Sequence, residues 1–291
     1  MAVLVGKTTP VICQGLTGRA ATYHVARMVA YGTNLVGGVT PGKGGQRHLD
    51  VPVFDTVAEA VAKTGAKASL VFVPPQNAAA AMIEAIDAGI ELLVCVTERV
   101  PVLDMIRVRQ RIAGTSTRLV GPNSQGVLVP GAAQLGVMTT VNARSGPIGI
   151  GSRSASLTSE VVAQTTAAGL GQSTTIGVGG DPVHGIGLAD CVRLFLADPA
   201  TEGIILIGEI GGSDEEEAAA LIREMKPDKP IVALVVGRYA PPERRMGHAG
   251  ALAAGSSGSA AGKIEAFQEA GVRIAPRADM VGMLMRQALV G

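Results

Sequence analysis

Short apolar runs alternate with amphipathic helical stretches from one end of this chain to the other, and glycine repeatedly stands where a run ends. This alternation restricts the fold more than any other feature, because strand-then-helix units pair their strands in parallel. The first set of runs covers residues 10–15, 34–40, 69–74, 92–97 and 118–123, with helices expected over 20–30, 57–63, 76–88 and 102–113. A second set covers 148–152, 173–179, 203–209, 230–237 and 272–276, with helices expected over 157–168, 187–197, 214–224, 263–269 and 278–289. Between the sets, residues 130–147 have poor periodicity and several turn formers, so they are expected to connect two domains, 1–129 and 130–291. The expected fold class is α/β, with two doubly wound domains, and a length of 291 residues suits two such units.

Composition agrees with that class. Hydrophobic residues make up 47 % of the chain but aromatics only 2 %, so the core must be built from Val, Ile, Leu and Ala, as buried parallel strands require. With 25 basic and 24 acidic side chains the formal charge is +1, and no basic run tracks a phosphate backbone, so nucleic acid is not an expected partner. Cys13, Cys95 and Cys191 lie far apart in apolar segments without CxxC spacing, which predicts reduced core thiols and no metal site. No charged start leads into a long apolar stretch, and IVALVV at 231–236 is too short to cross a bilayer. A cytoplasmic protein without a membrane segment is expected.

In open parallel sheets, ligands bind where strand ends, loops and helix N-termini converge. The first such edge is QGLTGRA, residues 14–20, where Gly15 and Gly18 allow a sharp turn and the helix N-terminus opened by Arg19 and Ala20 favours phosphate near Thr17. It lacks the third glycine of GxGxxG, and no acidic residue follows at ribose distance, so an ordinary NAD site is disfavoured. Lys43, set among glycines in TPGKGGQRH, is placed either to reach a phosphate or simply to be solvated. Further edges carry Val96, Thr97 and Glu98, and then Asn123 and Gln125 in GPNSQG; together they outline a crevice for a ligand of dinucleotide size or larger.

In the second half, Ser154, Ala155 and Ser156 open an expected helix, either as a cap or as an anion cradle. Glu209 ends an apolar strand just before two glycines, while Glu215, Glu216 and Glu217 read as first-turn acids favoured by the helix dipole. His248 in RRMGHAGAL precedes AAGSSGSAAGK, residues 253–263, which has almost nothing to bury and is expected to be a mobile loop. A histidine on such a loop is either incidental surface or the group the loop exists to move.

Taken in order, GGVTPGKGG, GPN, SRS, GQSTTIGVGGDP, IGEIGGSDEEEAA and RRMGHAGA resemble the signatures of the alpha subunit of succinyl-CoA synthetase, the nucleoside-diphosphate-forming succinate–CoA ligase, over nearly the whole chain. The resemblance implies an N-terminal Rossmann-like CoA-binding domain and a C-terminal flavodoxin-like ligase domain. It also implies a relay through a phosphohistidine at His248, with Glu209 holding the other ring nitrogen, and an acyl phosphate. CoA would lie on Thr17, Gly18, Arg19, Ala20, Lys43, Val96, Thr97 and Glu98, and Ser154 to Ser156 would face the phosphohistidine. ATP or GTP with Mg²⁺ would be bound mainly by an ATP-grasp beta subunit, for which this chain has no equivalent. Two positions depart from the family: Ser159 stands in LTSE where LTYE is usual, and Ser124 and Gln125 stand in GPNSQG where GPNCPG is usual. Both changes would enlarge and wet the acid pocket, so Ser159, Asn123 and Gln125 are candidate substrate residues and the acid is expected to be succinate or a related dicarboxylate such as malate. The alternatives left open are a CoA-binding regulatory protein without catalysis, which would not need His248, Glu209 and the glycine loop together, and a nicotinamide-dependent oxidoreductase, which has only the sheet pattern in its favour.

Overall fold

The computed structural model describes residues 3–241, 244–252 and 258–290, and every structural statement below concerns those residues. They form two compact units, one of Leu4–Met138 with Val183–Gly185 and one of Thr139–Pro182 with the chain from Ile186 onward.

The first unit runs β1 (Val11–Gln14), α1 (Arg19–Tyr31), β2 (Leu35–Val39), β3 (Arg47–His48), β4 (Val51–Phe54), α2 (Val57–Thr64), β5 (Ala68–Val71), α3 (Pro75–Asp87), β6 (Leu92–Cys95), α4 (Val102–Ile112) and β7 (Arg118–Val120). Its sheet order is β3-β4-β2-β1-β5-β6-β7, parallel except for the short β3–β4 pair. The chain leaves β1 for β2 on one side and later reaches β5 on the other, so the strand order reverses beside the C-terminal end of β1. Small residues on α3 let Ala78, Met82 and Ala85 pack against Ile12, Val71 and Leu93 in a core without large rings.

A hairpin, β8 (Gly126–Val129) and β9 (Ala133–Gly136), completes this unit. The expected boundary after Val129 would have cut it. The division falls at Met138 instead, and the hairpin is fastened to the end of α1. The Thr33 hydroxyl donates to Gln134 O at 2.8 Å and accepts from Gln134 N at 3.1 Å, and the Tyr31 hydroxyl accepts from Gly131 N at 3.1 Å. Gly126 and Gly136 cross so closely that a Cβ on Gly126 would lie 1.8 Å from Leu135 O. Residues 130–147, expected to be a plain connection, therefore hold β9 and the start of the next strand.

The second unit runs β10 (Ser145–Ser152), α5 (Ala155–Ala167), β11 (Gln172–Gly177), α6 (Leu188–Ala197), β12 (Gly203–Glu209), α7 (Asp214–Met225), β13 (Ile231–Val236), α8 (Ala260–Glu269), β14 (Arg273–Ile274), a 3₁₀ turn (Ala278–Met280) and α9 (Val281–Val290). These strands follow the order β14-β13-β12-β10-β11 and are parallel throughout, the flavodoxin-like arrangement, with the switch point between β10 and β12. Ile148, Ile150, Ile205, Ile207, Val232 and Leu234 fill the core against Val161, Val281 and Met285. Two helices begin earlier than their apolar periodicity suggests. Ser154 caps α5 by accepting from Leu157 N, and Ser259 caps α8 by accepting from Gly262 N.

Cys13, Cys95 and Cys191 are buried and form no disulfide, and burial pushes the thiols of Cys13 and Cys191 up, far from reactivity. No helix among the described residues is long and apolar enough to cross a membrane.

If the hairpin is held by Thr33, then Thr33→Val, which keeps the shape but removes both buried hydrogen bonds, lowers stability by about 1–3 kcal/mol. Urea unfolding of the variant checks this.

Candidate active site

Glu209 is the last residue of β12, where the apolar strand ends and Gly211 and Gly212 turn the chain toward α7. Its carboxylate meets His248: Nδ1 lies 2.9 Å from Oε1 and 2.8 Å from Oε2. A carboxylate accepts, so Nδ1 carries the proton and Nε2 keeps its lone pair. The His248 side chain is 32 % exposed and that of Glu209 only 8 %, so the imidazole can meet another reactant while its anchor cannot.

Backbone contacts bring the ring there. Met246 N donates to Ala251 O at 2.9 Å and Ala251 N to His248 O at 3.1 Å, closing a turn, and Gly250 N donates to Gly180 O at 3.1 Å. A Cβ on Gly180 would lie 2.3 Å from the His248 ring, so only glycine leaves the ring its place. Of the stretch 253–263 expected to be a mobile loop, the part from Ala260 belongs to α8, and ahead of that stretch Gly250 docks on Gly180. Residues 253–257 lie outside the described residues.

The hydrogen bond that Nδ1–H donates to Glu209 raises the His248 pKa above the ordinary histidine value. Burial lowers it, the Glu209 charge raises it further, Arg153 lowers it and Asp181 raises it. Glu209 is itself steadied from behind. Arg153, at the end of β10 on the other side of the switch point, places Nη2 3.5 Å from Glu209 Oε1. Burial works against the Arg153 charge, but Glu215, Glu209 and Asp214 outweigh it and hold its pKa above the ordinary arginine value. Glu215 is fully buried and accepts from Arg153 Nη1 at 3.1 and 3.2 Å, from Glu209 N at 2.9 Å and from Lys263. Glu215 is a first-turn acid of α7, as expected, but it is buried, and its partners lie 62 and 48 residues away, beyond the reach of local pattern. Sequence reasoning also passed over Arg153, although it sits inside SRS, and Lys263.

Ser154 is buried and used as the α5 cap, while Ala155 and Ser156 are exposed at the same helix N-terminus, where first-turn amides face outward. Ser159, one turn on in α5, donates back to Ala155 O at 3.4 Å.

In the first unit, a cleft of about 450 Å³ opens at the strand-order reversal, at the C-terminal ends of β1, β2 and β5. Gly15, Thr17, Gly18, Thr40, Phe72 and Asn77 are among its lining residues. Backbone approach is close: a Cβ on Gly15 would lie 3.0 Å from Phe72 O. Lys43 donates to Thr17 Oγ1 at 3.1 Å, and its glycine loop is fixed by Asp55, whose Oδ1 accepts from Gly42 N at 2.7 Å and Gly44 N at 2.9 Å. Arg19 and Ala20 are exposed at the start of α1. Thr97 donates to Val73 O at 2.8 Å, on the cleft wall, and its own carbonyl accepts from Asn123 N at 2.9 Å. Val96 is half-buried, Glu98 is exposed, and Gln125 is buried; none of the three lines the cleft. Among the described residues no group of three His, Cys, Asp or Glu is placed to hold a metal.

Comparison with known proteins follows the same division. A model described as CoA binding domain matches residues 6–99, and one described as CoA-ligase matches residues 152–273. The chain is similar to the succinate–CoA ligase [ADP-forming] alpha subunit of Aquifex aeolicus, 49% identical over 291 residues, covering 99% of this chain and 95% of that one. It is 45% identical over 288 residues to the subunit of the same description from Staphylococcus epidermidis, with the same coverage. Among solved structures it shares its fold with an ATP citrate lyase from Methanosaeta concilii in complex with (3S)-citryl-CoA, at TM-score 0.90 and 24% identity, covering 99% of this chain but 50% of that one, so it spans about half the lyase.

Because the Glu209 hydrogen bond is what lifts the His248 pKa, Glu209→Gln brings the ring's titration to lower pH. Following the pH dependence of carbethoxylation at His248 by peptide mass spectrometry checks the direction.

Proposed function

The chain belongs to the family of succinate–CoA ligase alpha subunits, and from that premise we propose how its residues carry out the reaction. It is an acid–thiol ligase subunit that joins succinate or a related dicarboxylate to CoA with cleavage of a nucleoside triphosphate. The observation that carries the mechanism is the 2.8 Å pairing of His248 Nδ1 with Glu209, which leaves Nε2 as the nucleophile.

Nε2 attacks the γ-phosphorus; an N–P bond forms, the bond to the diphosphate oxygen breaks, and nucleoside diphosphate leaves. A carboxylate oxygen of the acid then attacks the same phosphorus, which restores the imidazole and gives an acyl phosphate. The CoA thiolate attacks the acyl carbon and inorganic phosphate departs, leaving the thioester. Glu209 keeps Nδ1–H in place through the first two steps, so the ring never needs to change tautomer. The exposed amides of Ala155 and Ser156 at the α5 N-terminus suit the phosphoryl group.

CoA falls to the first unit, with its phosphates near Thr17, Gly18 and Lys43 at the cleft mouth, and the phosphohistidine chemistry to the second. Arg19, Ala20, Val96, Thr97 and Glu98 extend this surface; Asn123 and Gln125 in the first unit, and separately Ser159 in the second, are the candidate acid residues. An alpha subunit implies a partner subunit; an ATP-grasp beta subunit would bring the nucleotide and Mg²⁺. Tyr239, Met246 and Leu252, apolar and exposed around the histidine segment, suit burial by that partner. Three buried reduced thiols suit the cytoplasm.

Incubated with the partner subunit, Mg²⁺ and labelled ATP, the chain acquires an acid-labile, base-stable label that His248→Asn abolishes; label that persists in the variant rejects the relay. Lys43→Ala raises KM for CoA about tenfold and leaves the rate of His248 labelling unchanged.

A further inference from the structure

Lys263 is the fourth residue of α8, in the first turn, and its side chain is fully buried. Both facts are costly. A cation there faces the positive end of the helix dipole, and burying an ion pair is a poor way to gain stability. Ser259 already caps the helix. The position of the ammonium accounts for its presence: Nζ donates to Gly212 O at 3.0 Å, to Glu216 Oε2 at 2.9 Å and to Glu215 Oε2. Glu215 in turn accepts the Glu209 N–H at 2.9 Å and holds Arg153, whose Nη2 reaches the Glu209 carboxylate. Cation, anion, cation and anion thus alternate from α8 to the imidazole.

We infer that Lys263 is a positioning residue for His248, acting through Glu215 and Arg153 on the carboxylate of Glu209. The inference rests on the phosphohistidine reading above. Glu215 divides its charge between two cations. With Lys263 gone, Glu215 draws Arg153 to itself and weakens its hold on Glu209, whose charge then falls more fully on the imidazole. The groups facing His248 are Glu209 at the end of β12, Arg153 after β10 and Asp181 after β11, with Asp214 of α7 3.8 Å from Arg153 Nε. Only Arg153 opposes the protonated ring among them, so weakening it favours the imidazolium, the form that cannot attack phosphorus. Lys263 also pins Gly212 O in the turn that follows Glu209, which ties the α8 end of the histidine segment to the strand end its ring must meet.

The test uses the complex with the partner subunit and two readouts, the pH dependence of His248 carbethoxylation and single-turnover phosphorylation by ATP. Lys263→Met moves the carbethoxylation midpoint to higher pH and slows phosphorylation at pH 7 about tenfold, with KM for ATP unchanged within about twofold, and Lys263→Arg restores both. Glu216→Gln, which leaves Lys263 wholly to Glu215, moves the midpoint the other way. An unmoved midpoint in Lys263→Met overturns the inference; should that variant fail to assemble, an unmoved midpoint in Glu216→Gln does so. Carbethoxylation needs no nucleotide, so a shifted midpoint in a complex that takes no phosphoryl group from ATP sinks the proposed function and not the charge coupling.

Discussion

The contact between His248 Nδ1 and the Glu209 carboxylate joins a segment of small residues to the end of a buried strand, and the rest of the second unit is arranged around keeping it. An unsupported imidazole on such a segment exchanges tautomers and turns freely. Held at Nδ1, it offers one nitrogen in one direction. The same contact stabilises the protonated ring, which costs reactivity at neutral pH, and Arg153 offsets part of that by drawing on the Glu209 charge. Once Nε2 is phosphorylated, Nδ1–H still has its acceptor, so the anchor serves the intermediate as well as the free ring.

Both units place their chemistry by one rule. In the first, the reversal of strand order beside β1 opens the cleft lined by Gly15, Thr17 and Gly18. In the second, the reversal between β10 and β12 puts Arg153 at one strand end and Glu209 at the next. Parallel strands end on the same side of the sheet, so two residues 56 positions apart meet without any long excursion of the chain.

The regular strand-and-helix alternation was readable because its period comes from local geometry, and the expected β12 ends at Glu209 as the structure does. What was missed lacked that period. β4, with Pro52 in its middle, and the hairpin, framed by glycines, carry little alternation, and the hairpin depends on Thr33 a hundred residues earlier. The starts of α5 and α8 were set by Ser154 and Ser259, whose hydrogen bonds extend each helix ahead of its apolar face. The pairing of His248 with Glu209 came from resemblance, not from spacing. Nothing local distinguishes Glu215 from Glu217, although one is buried among cations and the other is exposed. Charge in a first turn is usually solvated, and only the fold shows where it is not.

The central claim is that Glu209 decides which ring nitrogen takes the phosphoryl group. Nitrogen-15 labelling of histidine and NMR of the phosphorylated chain identify the N–P bond directly. The account predicts phosphorus on Nε2 of His248, with Nδ1 still protonated. Phosphorus on Nδ1 would mean that the ring leaves Glu209 to react, and the mechanism built on that contact would be wrong.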